Sequence, residues 1–231
     1  MNKRKVNLIL GIGFYILSFV LIFYYLFLEF SIYELSSPLK RLMIVFIIVL
    51  FTYLGCFLLR KDEYKGFQKL PKFNLLLWFT LYIVMILNLT LFDSYFGRSG
   101  GVLYSYNPVS IKNYFTYNFN MIPFKTINNY FLAYRNHNIA FINLFYNILG
   151  NVIAFMPLAF FLPRLFKEEK WYTYFSFTTC CILFIEIMQL VTNSGSFDID
   201  DYILNMLGFI FLYILINNRF IKDRLDKVLM I

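Results

Sequence analysis

The stretch Gly195-Ser196-Phe197-Asp198-Ile199-Asp200-Asp201 lies between two long apolar runs, one from Trp171 to Val191 and one from Tyr202 to Asn217. Hydrocarbon strongly disfavours ionised side chains, so three acids at the end of an apolar run indicate a functional site at a membrane boundary. The alternative is a helix start, in which Asp200 or Asp201 caps the next helix and interacts favourably with its dipole. Capping needs one aspartate, whereas this turn carries three.

The composition is that of an integral membrane protein. Of 231 residues, 60% are hydrophobic and 15% are charged, with 30 Phe and 19 Tyr, which is too apolar for a water-soluble domain of this length. Several runs reach the ~20 residues that a helix needs to cross a ~30 Å hydrocarbon core. These runs cover Val6 to Leu28, Leu42 to Leu59, Phe73 to Phe92, Phe141 to Phe166, Trp171 to Val191 and Tyr202 to Asn217. We therefore predict an all-α fold, a polytopic membrane helix bundle of about six transmembrane helices, because lipid leaves backbone polar groups no other partners.

The distribution of basic residues predicts the orientation of these spans. If both termini are cytoplasmic, 15 of the 21 Lys and Arg residues lie on the cytoplasmic side. They are Lys3, Arg4, Lys5, Arg60, Lys61, Lys65, Lys69, Lys72, Arg164, Lys167, Lys170, Arg219, Lys222, Arg224 and Lys227. The net charge of +8 is then explained by lysines that face anionic lipid, and no nucleic-acid partner is expected.

The segment from Asp93 to Ala140 is too long for a simple turn, and we predict that it contains an extracytoplasmic helix. The helix would follow Pro123, which suits a first helical position. Its apolar positions recur at spacings of three and four, namely Phe124, Ile127, Phe131 and Tyr134. Its other face carries Lys125, Asn128, Asn129 and Arg135. Such a helix either lies in the membrane interface or re-enters the membrane; the alternative role for the aromatic residues is a belt that only anchors the protein.

Polar side chains of three consecutive spans are predicted to lie at one depth near the outer end. In the fourth span, the i, i+4, i+8 spacing of three asparagines places them on one helical face: Asn143, Asn147 and Asn151. Glu186 lies five residues before Val191, with Gln189 on the same face, and Asn205 follows Asp201 by four residues. The amides alternatively act only in helix packing. An acid at the depth of Glu186 is protonated, paired with Lys125 or Arg135, or exposed to a wet cavity.

Four ordered motifs carry a family resemblance. They are Asn120-Met121-Ile122-Pro123-Phe124-Lys125-Thr126-Ile127, Asn147-Ile148-Leu149-Gly150-Asn151-Val152-Ile153-Ala154-Phe155-Met156-Pro157-Leu158, Glu186-Ile187-Met188-Gln189 and Phe197-Asp198-Ile199-Asp200-Asp201-Tyr202-Ile203-Leu204-Asn205-Met206-Leu207-Gly208. In order and spacing they resemble the VanZ-like family of bacterial membrane proteins, over about Leu89 to Leu215. The chain has Ser196 where the family commonly has arginine and Ala159 where it commonly has glycine, while Arg98 resembles the family's arginine after its first core span.

The resemblance implies a domain division and a function. Residues 1–72 would form an N-terminal two-helix extension and residues 73–231 the VanZ-like domain, although both could form one bundle. The founding member of the family is associated with low-level resistance to the glycopeptide teicoplanin. We therefore expect a cell-envelope protein of the bacterial cell membrane that binds membrane lipid and a lipid-linked cell-wall precursor or a lipoglycopeptide at the outer leaflet. The alternatives are an intramembrane enzyme that acts on a cell-envelope lipid and a proton-coupled transporter in which Glu186 carries the proton.

The predicted polar cluster consists of residues from the four family motifs together with Arg98. Its members are Arg98, Asn120, Lys125, Asn147, Asn151, Glu186, Gln189, Asp198, Asp200, Asp201 and Asn205. His137 is the only histidine, and neither a Ser-His-Asp set nor a phosphate-binding Gly-rich loop is evident, so the question of an enzyme is left open. No cofactor is expected; the alternative is a divalent cation held by Asp198, Asp200 and Asp201.

Overall fold

The computed structural model describes residues 3–30, 37–61, 65–93, 116–166, 170–192 and 194–231, and Arg98 lies outside these ranges. Most of the described chain is helical. The helices are α1 (Lys3–Phe30), α2 (Pro38–Lys61), α3 (Leu70–Leu91), α4 (Lys125–Arg135), α5 (Phe141–Ala154), α6 (Met156–Phe166), α7 (Trp171–Val191), α8 (Ile199–Ile216) and α9 (Arg219–Leu229). A 3₁₀ turn spans Lys65–Phe67, and two short strands, β1 (Phe119–Asn120) and β2 (Phe197–Asp198), pair in parallel.

In the described part of the chain, six helical spans are long and apolar enough to cross a membrane. They are Lys3–Phe30, Pro38–Arg60, Leu70–Leu91, Phe141–Phe166, Trp171–Val191 and Ile199–Ile216. The six predicted spans are thus confirmed, and the protein is an all-α, multi-pass membrane protein. The short helix predicted after Pro123 is also present as α4, but it begins at Lys125. Phe124 precedes it with a positive φ of 63°, so Pro123 belongs to the turn before the helix.

The fourth span contains a break that the sequence analysis did not predict. Helix α5 ends at Ala154, α6 begins at Met156, and Phe155 lies in the turn between them. Pro157 accounts for the break, because a proline donates no backbone hydrogen bond and its ring would clash with the carbonyl four residues earlier.

The chain divides into two compact units, residues 1–88 with 222–231 and residues 89–221. The domain division at residue 72 stays a prediction. In the first unit, α1 and α2 pack closely over a core that includes Tyr25, Ile44 and Ile48. A Cβ atom at Gly11 would lie 2.6 Å from the Leu59 side chain and 3.2 Å from the carbonyl oxygen of Gly55, so the lack of a side chain at Gly11 favours the close approach of the two helices.

A buried ion pair joins three helices of the first unit. Nη1 of Arg41 in α2 lies 2.9 Å from Oε2 of Glu29 in α1, and their side chains are 3% and 0% exposed. The same Arg41 nitrogen donates to Oδ1 of Asn88 in α3 at 3.0 Å, and the Asn88 amide donates to the Glu29 carbonyl at 3.0 Å. The pair therefore holds the ends of α1, α2 and α3 together.

Arg41→Met should lower the free energy of unfolding by about 3–5 kcal/mol, because Glu29 would stay buried without its ionic partner. Chemical unfolding in detergent micelles, followed by loss of helical circular dichroism, measures this change. Lys40→Met is the matched control, since Lys40 is exposed and its replacement should change stability by no more than about 0.5 kcal/mol. Adding Glu29→Gln to Arg41→Met should restore part of the loss; equal losses for Arg41→Met and Lys40→Met would contradict a stabilising role for the pair.

In the second unit, α8 packs against α5, α6 and α7. Leu158 and Leu162 of α6 and Ile182 of α7 are almost completely buried. Ala159 of α6 is 0% exposed. This helical core fixes the ends of α5, α7 and α8, which carry most of the polar motif residues.

Candidate functional site

Four carboxylates meet where α7 ends and α8 begins, and we name them the acid cluster: Glu186, Asp198, Asp200 and Asp201. Glu186, Asp198 and Asp200 are 4%, 5% and 0% exposed, and Asp201 is half-buried. Buried charges are costly unless they are paired or hydrogen-bonded. The partners of each carboxylate therefore indicate what each one does.

Asp198 caps α8 and anchors the segment that precedes α4. Its Oδ1 accepts the backbone N–H of Asp200 at 2.9 Å, so it is the N-cap residue of α8. The capping role that was the alternative expectation for Asp200 or Asp201 belongs to Asp198, because the helix begins at Ile199. The Asp198 carboxylate also accepts from the Asn120 amide at 3.0 Å and from the Thr126 hydroxyl at 2.5 Å. One side chain thus joins α8 to the start of α4.

Asp200 binds the N-terminal end of α4 through backbone groups. Its carboxylate accepts three N–H groups, from Phe124 at 2.5 Å, Thr126 at 2.8 Å and Ile127 at 3.0 Å. The first N–H groups of a helix have no partner within that helix, and Asp200 supplies one from α8. This arrangement also explains how Phe124 keeps its left-handed backbone, which is uncommon for a bulky residue.

A parallel strand pair reinforces the same connection. Phe119 of β1 pairs with Phe197 of β2, and Asn120 pairs with Asp198. The two phenyl rings stack with their centroids 5.0 Å apart. Helix α4 is therefore tied to α8 by the strand pair, by Asp198 and by Asp200.

Asp201 faces a different helix from its two neighbours. Its Oδ1 accepts from the side-chain amide of Asn151 in α5. Asn151 is thus the asparagine of the fourth span that reaches the acid cluster. Asn147 is exposed, and its amide donates to the carbonyl of Asn143 in its own helix at 2.8 Å.

Glu186 and Gln189 connect α7 to the surrounding chain. Oε2 of Glu186 accepts the backbone N–H of Asp198 at 3.2 Å, so this carboxylate lies directly beneath the acidic turn. The Gln189 amide donates to the carbonyl of Thr90, at the end of α3, at 3.0 Å. Asn205 is 3% exposed and lies one turn along α8 from Asp201.

The structure places the predicted cluster residues in three groups. Hydrogen bonds link Asn120, Glu186 and Asp200 to Asp198, and a further hydrogen bond links Asn151 to Asp201. Gln189 and Asn205 are buried in the same unit, whereas Lys125 and Asn147 are exposed. Arg98 lies outside the described residues, and its place in the cluster stays a prediction.

The sequence pattern missed one participant. Thr126, within the first family motif, donates its hydroxyl to Asp198 and its backbone N–H to Asp200. It also left out one buried acid, Asp93, which is 0% exposed and follows the third span. The signal for Asp93 was present in the sequence, because it is an acid immediately after an apolar run.

The carboxylates of the acid cluster face hydrogen-bond donors of the protein itself. Within the described ranges, no group of three or more His, Cys, Asp or Glu side chains is placed to hold a metal ion. The oxygens of Asp198 and Asp200 already accept hydrogen bonds from the protein. The divalent cation considered for Asp198, Asp200 and Asp201 stays a prediction.

Comparison of the sequence with known proteins identifies the family of this chain. The VanZ/LLP1 family model matches residues 79–221. This chain belongs to the VanZ/LLP1 family. Protein VanZ from Enterococcus faecium is 30% identical over 152 residues, which cover 64% of this chain and 79% of that protein. The resemblance noted from the four motifs is thereby confirmed. No solved structure shows a significant match to this chain.

The VanZ/LLP1 region contains every hydrogen bond of the acid cluster described above. The matched residues begin within α3 and end within α9. The first two spans, α1 and α2, lie before it. The family match therefore covers the second unit, which spans residues 89–221.

Proposed function

We propose that this VanZ-like protein binds a lipid-linked or lipidated ligand at the outer leaflet of the bacterial cell membrane and contributes to teicoplanin tolerance. Both termini are cytoplasmic in this proposal, which puts the acid cluster near the outer surface. The excess of basic residues at the opposite ends of the spans supports this orientation. The similarity to Protein VanZ supports the link to a glycopeptide.

The observation that carries the proposal is the attachment of an amphipathic helix to the acid cluster. Every side chain of α4 keeps part of its surface exposed. Phe124 and Phe131 are 62% and 52% exposed, and polar residues cover another face of the helix. Lys125, Asn128, Asn129 and Arg135 form that face. A helix with both kinds of exposed surface suits the membrane interface, where a lipidated ligand also presents an apolar chain and a polar head.

The roles of the four acids differ in this proposal. Asp198 and Asp200 position α4, because their oxygens accept hydrogen bonds from the residues around its first turn. Asp201 is half-buried and paired with Asn151, so it is the carboxylate of the cluster with surface available to a ligand's polar head. The Glu186 carboxylate stabilises the acidic turn by accepting the backbone N–H of Asp198.

Asp201→Asn should weaken teicoplanin binding by about tenfold, as expected for the loss of one charge-assisted hydrogen bond. The measurement is a binding titration with the full-length protein in lipid nanodiscs. Vancomycin is the ligand control, because it lacks the acyl chain that a bilayer site would bind. Asp223→Asn is the matched protein control, since Asp223 is an exposed acid on α9. The teicoplanin affinity of this variant should equal that of the wild type.

Two results would contradict the proposal. One is equal affinity of the wild-type protein for teicoplanin and vancomycin, which would remove the role of the acyl chain. The other is unchanged teicoplanin affinity in both Asp201→Asn and Glu186→Gln. In cells, expression should raise tolerance to teicoplanin without changing tolerance to vancomycin, and the Asp201→Asn variant should lose that difference.

A further inference from the structure

The first unit contains an apolar groove that the proposed function does not use. Its volume is about 370 Å³, and its lining includes Ile12, Tyr15, Ile16 and Val20 of α1, Leu59 of α2 and Phe67 of the 3₁₀ turn. Ile12, Ile16 and Val20 are 43%, 60% and 60% exposed. The groove is therefore open along the side of α1.

Polar groups near the groove are turned away from it. The Tyr15 hydroxyl donates to Oδ1 of Asn74 at 2.9 Å, and the Asn74 amide donates to the Thr52 carbonyl at 3.0 Å. The Tyr15 ring lies against Gly55, where an added Cβ atom would be 3.0 Å from two ring carbons. Tyr15 is thus fixed by its hydroxyl hydrogen bond to Asn74 and by the contact of its ring with Gly55, and it lines the groove. The resulting wall suits a hydrocarbon chain.

One end of the groove lies beside a concentration of positive charge. Leu59, two residues from the end of α2, lies against Gly11 in the first third of α1. Phe67 and Leu70, which flank Lys69 in sequence, also line the groove. Lys5, Lys69 and Lys72 are exposed at this end. In sequence, residues 3–5 and 60–72 contain eight basic residues and two acids, Asp62 and Glu63. A phosphate-bearing headgroup complements this charge.

We propose that the groove binds one acyl chain of an anionic glycerophospholipid, whose phosphate is held by Lys69 and Lys72. The site is separate from the acid cluster and does not depend on the proposed function. The orientation predicted from the basic residues would make the bound molecule an inner-leaflet lipid. Burial of the chain against Ile12, Ile16 and Val20 supplies the apolar part of the binding free energy, and the lysines select the headgroup.

The test measures lipid bound to the purified, full-length protein by native mass spectrometry. The protein is delipidated in a neutral detergent and then incubated with phosphatidylglycerol or with phosphatidylcholine of the same acyl chains. The wild type should retain about tenfold more phosphatidylglycerol than phosphatidylcholine, because two lysines contact the anionic headgroup. Lys69→Gln with Lys72→Gln should abolish this preference. Lys170→Gln, which changes an exposed lysine of the second unit, should keep it.

A second pair of variants tests the groove itself. Ile16→Trp fills the groove and should lower phosphatidylglycerol retention by about tenfold. Leu17→Trp places the same ring at the neighbouring position, which is 52% exposed and outside the groove lining, and it should bind like the wild type. Helical circular dichroism checks that both variants fold; if Ile16→Trp does not fold, the double lysine variant decides.

Three outcomes would overturn the proposal. The first is equal retention of the two lipids by the wild type. The second is unchanged phosphatidylglycerol binding in Ile16→Trp or in the double lysine variant. The third is a wild-type dimer that Ile16→Trp converts to a monomer without any change in lipid binding, because the groove would then be occupied by a second copy of the chain.

Discussion

Asp200→Ala should release α4 from α8 and expose the amides around its first turn to solvent. In the wild type, the fully buried Asp200 carboxylate accepts the N–H groups of Phe124, Thr126 and Ile127. Three donors without their acceptor cost about 3 kcal/mol or more in total. Hydrogen exchange at these amides should therefore accelerate by about a hundredfold or more. Hydrogen-exchange mass spectrometry of peptides that cover residues 119–135 measures this acceleration.

The controls for Asp200 separate local release from general unfolding. Asp200→Asn keeps one acceptor oxygen, so its exchange rates should lie between those of the wild type and Asp200→Ala. Asp223→Ala removes an exposed acid from α9 and should leave α4 unchanged. Peptides from α1 should keep their wild-type protection in all three variants. Unchanged exchange around Phe124 in Asp200→Ala would show that the strand pair alone holds α4.

The helical framework could be predicted because membrane spans follow directly from composition and length. Lipid requires about 20 apolar residues per helix, and each of the six predicted runs corresponds to a helical span in the described chain. The details that differ come from local backbone chemistry. Pro157 interrupts the fourth span at Phe155, and the positive φ of Phe124 delays the start of α4 until Lys125. Neither effect changes the hydropathy of the sequence.

The sequence predicted which residues belong to the candidate site, but it did not predict which groups they hydrogen-bond to. Acids at span boundaries and amides at helical spacing indicated Asp198, Asp200, Asp201, Glu186 and Asn151. The partners of Asp200, however, are backbone N–H groups more than 70 residues earlier in the chain. Every residue except proline has such a group, so no residue type marks it in the sequence. The distinction between acids that position α4 and the acid that pairs with Asn151 therefore required the structure.

The buried pair Glu29–Arg41 shows a second limit of the sequence analysis. Both residues lie near the ends of apolar runs, where charged side chains ordinarily reach water or headgroups. Hydropathy alone does not distinguish such a residue from one that turns inward. In the structure both side chains are almost completely buried, and Asn88 of a third helix accepts a hydrogen bond from Arg41 and donates one to the Glu29 backbone carbonyl. The useful signal was that two opposite charges flank the same short connection between α1 and α2.

Gly208→Ala should force α5 and α8 apart and lower the free energy of unfolding by about 3 kcal/mol or more. A Cβ atom at Gly208 would lie 1.7 Å from the carbonyl oxygen of Val152 and 2.7 Å from its carbonyl carbon. Both are backbone atoms, so no side-chain rotation can relieve the clash. The better helix propensity of alanine, worth about 1 kcal/mol, is too small to compensate. Unfolding in detergent micelles, followed by circular dichroism, measures the loss.

The same substitution should also damage the site, because Asn151 directly precedes Val152 and its amide donates to Asp201. If α5 moves away from α8, this hydrogen bond is lost, and teicoplanin affinity should fall at least as far as in Asp201→Asn. Gly150→Ala is the matched control: in the described structure an added Cβ atom there meets nothing within 4 Å. Its stability should stay within about 1 kcal/mol of the wild type. Equal stability of the two variants would mean that α5 and α8 tolerate a wider separation, and the close approach at Gly208 would then be unnecessary for the acid cluster.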